Sequence, residues 1–115
     1  MKNLLKLIVI TSIAISFPAI AHVKLLQATP SKDAMLKMPP ELLTLEFNKK
    51  VRIVKVALKD RKGEKVNFGF KPSKQSKSIF QWSLPDLQPE SYSVEIIYLG
   101  NDGHKMKEKY TFMVH

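Results

Sequence analysis

The 115-residue sequence contains no cysteine. Disulfide staples, a lipid-anchored N-terminal cysteine and every thiolate metal site are therefore excluded. Stability must come from a packed core, and any metal site must use nitrogen, carboxylate or thioether donors. Sustained helical periodicity is also missing beyond residue 21, as are internal repeats and low-complexity tracts. A chain of this length builds one core and one domain. Acidic residues are the scarcer charge, with ten Asp and Glu against nineteen Lys and Arg.

What is present begins with a targeting pattern over residues 1–21. Lys2 and Lys6 give a positive start, Leu7 to Ala14 an apolar stretch, and Ala19-Ile20-Ala21 small residues where a signal peptidase cuts. Thr11, Ser12 and Ser16 interrupt the apolar stretch, whereas a spanning helix needs about 20 mainly apolar residues. The expectation is a cleaved signal peptide, export to the periplasm, and a mature chain of residues 22–115 that begins at His22. That mature chain keeps seventeen Lys and Arg against ten Asp and Glu, a formal charge of +7. Export removes nucleic acid as a partner, and the Lys cluster carries no interleaved aromatics for base stacking. A solvated basic face and attraction to an anionic membrane surface both remain open.

Short runs of alternating or β-branched residues recur between turn signals, the pattern of an all-β sandwich or barrel. Seven strands are predicted: 23–28, 42–48, 52–59, 65–69, 78–83, 91–99 and 105–114. Within 91–99 one face carries Tyr92, Val94, Ile96 and Tyr98 and the other Ser93 and Glu95, so one side is buried. Residues 31–38 could hold a helical turn. Pro39-Pro40, Arg61-Lys62-Gly63 and Asn101-Asp102-Gly103 form turns. The segment 84–92 reads as the corner before a penultimate sandwich strand, with the Tyr92 hydroxyl bonding back upstream. Trp82 and Phe47, Phe68, Phe70, Phe80 and Phe112 are core candidates. Met35 and Met38 are expected to pack under a loop, although thioethers also suit copper(I). His115 ends the chain, where fraying is the default.

Cleavage before His22 would place a free α-amine and an imidazole Nδ1 on one residue, which together chelate one ion. An α-amine ordinarily titrates at about 7.7–8.0, so a metal must displace a proton to bind it near neutrality. Copper(II), high in the Irving–Williams order, does this best and favours a tetragonal set of nitrogen and oxygen donors. Asp102 and His104 lie two apart, so an extended segment presents a carboxylate and an imidazole on one side, with Gly103 leaving room for an ion. From residues alone, a copper(II) square of amine, His22, Asp102 and His104 stands beside a plain surface loop.

The chain resembles the CopC family of exported copper-binding proteins. The resemblance rests on the opening His22 to Ala34, on Leu42-Leu-Thr-Leu-Glu-Phe-Asn48, on the corner Leu87-Gln-Pro-Glu-Ser-Tyr-Ser-Val94 and on Asp102-Gly-His104. It implies a seven-stranded, immunoglobulin-like Greek-key β-sandwich that holds copper(II) with the N-terminal amine and imidazole of His22, with Asp102 and with His104. Some members carry a second, methionine-rich copper(I) site mid-chain; residues 39 to 105 here contain no methionine. Glu90 stands where the family has glycine, and Lys105 follows His104 where it often has proline.

The resemblance implies a non-catalytic protein of copper homeostasis or resistance, a monomer that buffers or carries copper. The implied partner is an inner-membrane copper transporter of the CopD kind, and peripheral membrane contact is open. Four protein donors leave no equatorial position for substrate. The alternatives are a small oxidative copper enzyme built on the same histidine chelate and a metal-free immunoglobulin-like interaction module.

Overall fold

Period-two alternation resolves into seven strands: β1 (Leu25–Thr29), β2 (Met35–Leu36), β3 (Leu42–Lys59), β4 (Lys65–Val66), β5 (Lys77–Ser83), β6 (Glu90–Leu99) and β7 (Lys105–Val114). They belong to a computed structural model that describes residues 22–115; the expected signal peptide, 1–21, lies outside the described residues. In β6 the pleat sends Tyr92, Val94, Ile96 and Tyr98 into the core and leaves Ser91, Ser93, Glu95 and Ile97 half-buried.

The two layers share β3. Its first half pairs antiparallel with β1 and β5, and its second half with β4 and β6; β7 then continues that second layer. The sequence predicts two separate strands, 42–48 and 52–59, with polar Asn48-Lys49-Lys50 at their junction. The chain instead stays extended through those three exposed residues and crosses from one sheet to the other. The register on the β5 side shifts between Glu46 and Val51 at this crossing. Corners of sandwiches are commonly made by strands that switch sheets in this way.

The core lies between the layers. Leu43, Leu45, Phe47, Val51 and Ile53 of β3 meet Phe80, Val94, Ile96, Tyr98, Phe112 and Val114, all buried. Burying a side chain of this size stabilises by roughly 1.5–3 kcal/mol before chain entropy is counted. Phe68, Phe70 and Trp82 sit at the margin, half-buried, with the Trp82 ring stacked on Phe80 at 6.0 Å and edge-on to Phe70 at 5.8 Å.

Segment 31–38 forms no helical turn. Met35 and Leu36 instead add a short parallel strand beside Met113 and Val114 at the end of β7. Leu36 takes the inward position, so Met35 and Met38 are left 70% and 76% exposed and do not pack under a loop. His115 is tethered rather than frayed, its N–H donating to the Leu36 carbonyl at 2.8 Å. At the corner before β6, the Tyr92 hydroxyl donates to the Gln88 carbonyl at 2.6 Å. Glu90, in the family's glycine position, accepts from the Arg61 N–H at 2.9 Å and so ties the β3–β4 turn to β6.

Candidate metal centre

The β6–β7 hairpin closes over residues 100–104. Gly100 donates to the His104 carbonyl at 3.1 Å and Gly103 to the Gly100 carbonyl at 3.0 Å, with Gly103 at φ +83°, where a side chain would strain the backbone. Asp102 organises this loop from within. Its Oδ1 accepts from the His104 N–H at 3.0 Å, and its Oδ2 lies 2.5 Å from His104 Nδ1. The backbone bond from His104, and then the imidazole bond, hold the Asp102 carboxyl below its usual pKa, so it stays anionic in mild acid. A proton on Nδ1 shared with that carboxylate leaves the imidazole lone pair on Nε2, the arrangement that orients metal-binding histidines. Both side chains are open to solvent, His104 at 82% and Asp102 at 59%.

The start of the described chain arrives at the same loop. Asn48, where β3 begins to cross between sheets, holds it with three hydrogen bonds. The Asn48 Nδ2 donates to the His22 carbonyl at 3.0 Å, its Oδ1 accepts from the Lys24 N–H at 2.8 Å, and its N–H donates to the Lys24 carbonyl at 3.0 Å. Val23, between them, turns inward. A Cβ placed on Gly100 would lie 3.5 Å from Val23 Cγ2, 3.0 Å from Asp102 Oδ1 and 3.3 Å from Met106 Cε. Gly100 is thus the point where the N-terminal arm and the 100–104 loop pack together, and only a missing side chain lets them close.

Of the sequence-predicted ligands, Asp102 and His104 are in direct contact, and His22 stands at the same end with its side chain exposed. Among the described residues no cluster of three or more His, Asp or Glu side chains is assembled. His115 follows β7 at its far end, whereas His104 precedes its start, so the two are separated by roughly 33 Å of extended chain. Lys105 is exposed and Met106 half-buried, so strand alternation turns the lysine away from the packed side of the loop. Sequence reasoning missed Asn48 and Gly100. Neither carries a motif: Asn48 acts through an amide that donates and accepts at once, and Gly100 through what it lacks.

The CopC domain family model matches residues 25–115. A search of curated proteins returned no match. Among solved structures, the chain is similar to CopC from Methylosinus trichosporium OB3b, with 29% identity, a TM-score of 0.69, and coverage of 81% of this chain and 93% of that one. The fold also matches PcoC, a methionine-rich copper resistance protein from Escherichia coli, with a TM-score of 0.62, 20% identity, and 83% and 100% of the two chains covered. The selenomethionine form of PcoC matches with a TM-score of 0.59, 21% identity, and 80% and 99% covered. The match to the family model over residues 25–115, on a seven-stranded β-sandwich, shows that this chain belongs to the CopC family.

Proposed function

We propose that the protein is a periplasmic, non-catalytic copper(II) binder of copper resistance or homeostasis, whose cargo is held by the N-terminal amine and imidazole of His22 together with Asp102 and His104. The observation that carries the reading is the Asp102–His104 pair, set beside an N-terminal arm that Asn48 and Gly100 bring to the same loop. The donors suit the ion: an imidazole whose Nε2 is free, a carboxylate kept anionic, and, after cleavage, an amine–imidazole chelate. The related chains are named for copper resistance. In the described chain His22 is preceded by a peptide bond, so the amine that would draw its imidazole onto the loop is created only by cleavage.

The site is an open surface loop. A groove of about 620 Å³ along β1 and β7 is lined by Leu25 to Lys32 and Glu108 to Tyr110 and by none of the proposed ligands. That suits reversible loading of an ion better than enclosure of a substrate.

The test is a copper(II) titration of processed protein followed by electron paramagnetic resonance. One saturable signal is expected, altered in both His22→Ala and His104→Ala. If both variants load copper with the parent's spectrum and stoichiometry, the site is wrong. Sustained hydrogen peroxide release with a reductant would favour the oxidative enzyme.

A further inference from the structure

β5 is an edge strand: it pairs with β3 on one side, and among the described residues no strand pairs with its other side. An edge of this kind presents unpaired N–H and C=O groups. Along it runs a groove of about 440 Å³ lined by Lys71, Lys74 and Lys77, by Ile79, which is 56% exposed, and by Trp82. The lysine loop is fixed in place, because Ser73 exchanges hydrogen bonds with the Ile53 backbone, accepting at 2.8 Å and donating at 3.0 Å.

Charge is sharply sorted here. Residues 65–85 contain no Asp or Glu, nor do residues 49–59, which add exposed Lys49, Lys50 and Arg52 beside Val51, the register partner of Lys77. The carboxylate in closest register is Glu46, opposite Ile79 on β3, on the paired side of β5. The sequence separates aromatics from the lysine cluster; the fold returns Trp82 to it.

We propose that this groove is a docking site for an extended acidic segment of a partner protein, which adds to β5 as a further strand and sets its carboxylates against Lys71, Lys74 and Lys77. Main-chain pairing with the edge supplies the fit, and the lysines supply selectivity for acidic side chains. Pairing of β5 with the β5 of a second copy is disfavoured, since it would bring two sets of these lysines to the same edge. A membrane surface fits less well, because the cations line a groove beside a strand instead of crowning a convex face. Lys77 of the groove pairs with Val51, and the next residue, Arg52, pairs with Leu99 just before the 100–104 loop, so the Lys77 end of the groove faces the end of the fold that carries Asp102 and His104.

The probe is a fluorescein-labelled decapeptide of alternating Glu and Thr, followed by anisotropy at low salt with metal-free protein, which keeps the outcome separate from copper binding. Saturable binding is expected, weakened about tenfold in the triple variant Lys71→Gln, Lys74→Gln, Lys77→Gln, the worth of three exposed ion pairs. The variant should melt with the parent, as all three lysines are exposed. A peptide with alternate amides N-methylated should bind at least tenfold more weakly. Equal binding by parent and variant, equal binding of the methylated peptide, or binding to phosphatidylglycerol vesicles but not to the peptide would each overturn the proposal.

Discussion

Replacing Asn48 by alanine deletes two side-chain hydrogen bonds, one to the His22 carbonyl at 3.0 Å and one from the Lys24 N–H at 2.8 Å, and keeps the backbone bond to the Lys24 carbonyl. Both bonds are exposed and neutral, so each contributes about 0.5–1 kcal/mol net, and the pair holds the 22–24 arm by about 1–2 kcal/mol. The arm precedes β1 and Asn48 is exposed, so the core keeps its packing and stability should fall by no more than about 1–2 kcal/mol. Copper(II) must then order the arm itself, which weakens its affinity by about 5- to 30-fold. Asn48→Asp sharpens the test: it retains the acceptor for Lys24 but places a carboxylate against the His22 carbonyl. It should therefore bind no better than the alanine variant unless placement of His22 is irrelevant. The assay is competition against a chromophoric chelator, with His22→Ala alongside. Affinity within twofold of the parent for Asn48→Ala, while His22→Ala loses copper, would refute the role given to the clamp.

Gly100→Ala puts a methyl group 3.0 Å from Asp102 Oδ1 and 3.3 Å from Met106 Cε. The exposed Asp102 side chain yields first, so stability should fall by only about 1 kcal/mol, while copper(II) affinity and the paramagnetic spectrum change; an unchanged spectrum would contradict the packing described at that glycine. Tyr110 carries a buried hydroxyl with no hydrogen-bond partner among the described residues, and burial raises its pKa. Because the folded pKa lies above the unfolded one, near 10, the stability linked to this group is complete below pH 10 and is lost as pH rises above it. Tyr110→Phe should stabilise the protein by about 1 kcal/mol at neutral pH and flatten the alkaline limb of a denaturant-midpoint profile. A variant less stable than the parent would show that the hydroxyl is satisfied.

Much of the fold is legible because alternation is a local signal. Tyr92 to Tyr98 and Tyr110 to Val114 declare their buried faces residue by residue, and the Tyr92 corner follows from Pro85, Pro89 and the aromatic alone. The join between 42–48 and 52–59 is missed, since polar Asn48-Lys49-Lys50 at a sheet-to-sheet crossing carries no alternation that would mark one continuous strand. Met35 and Leu36 mislead for another reason: a two-residue strand has no period to detect and exists only because β7 offers it an edge. At the site, Asp102 and His104 are neighbours in sequence, so their nearness is legible, but their contact is made by a turn at Gly103 and not by the extended segment the spacing suggests. Their meeting with the 22–24 arm is not legible, because it depends on an asparagine amide and a glycine hydrogen, and residues of those types occur in many loops without such a role.

The copper proposal makes cleavage before His22 a step of site assembly, and one comparison bears on it most directly. Copper(II) affinity is measured by chelator competition for protein beginning at His22 and for the same protein carrying one additional residue ahead of it. The additional residue leaves the imidazole, Asp102 and His104 in place and removes only the amine from the chelate. Affinity lower by at least a hundredfold, with an altered paramagnetic spectrum, is the expected result. Equal affinity and an unchanged spectrum would contradict an amine-anchored copper site.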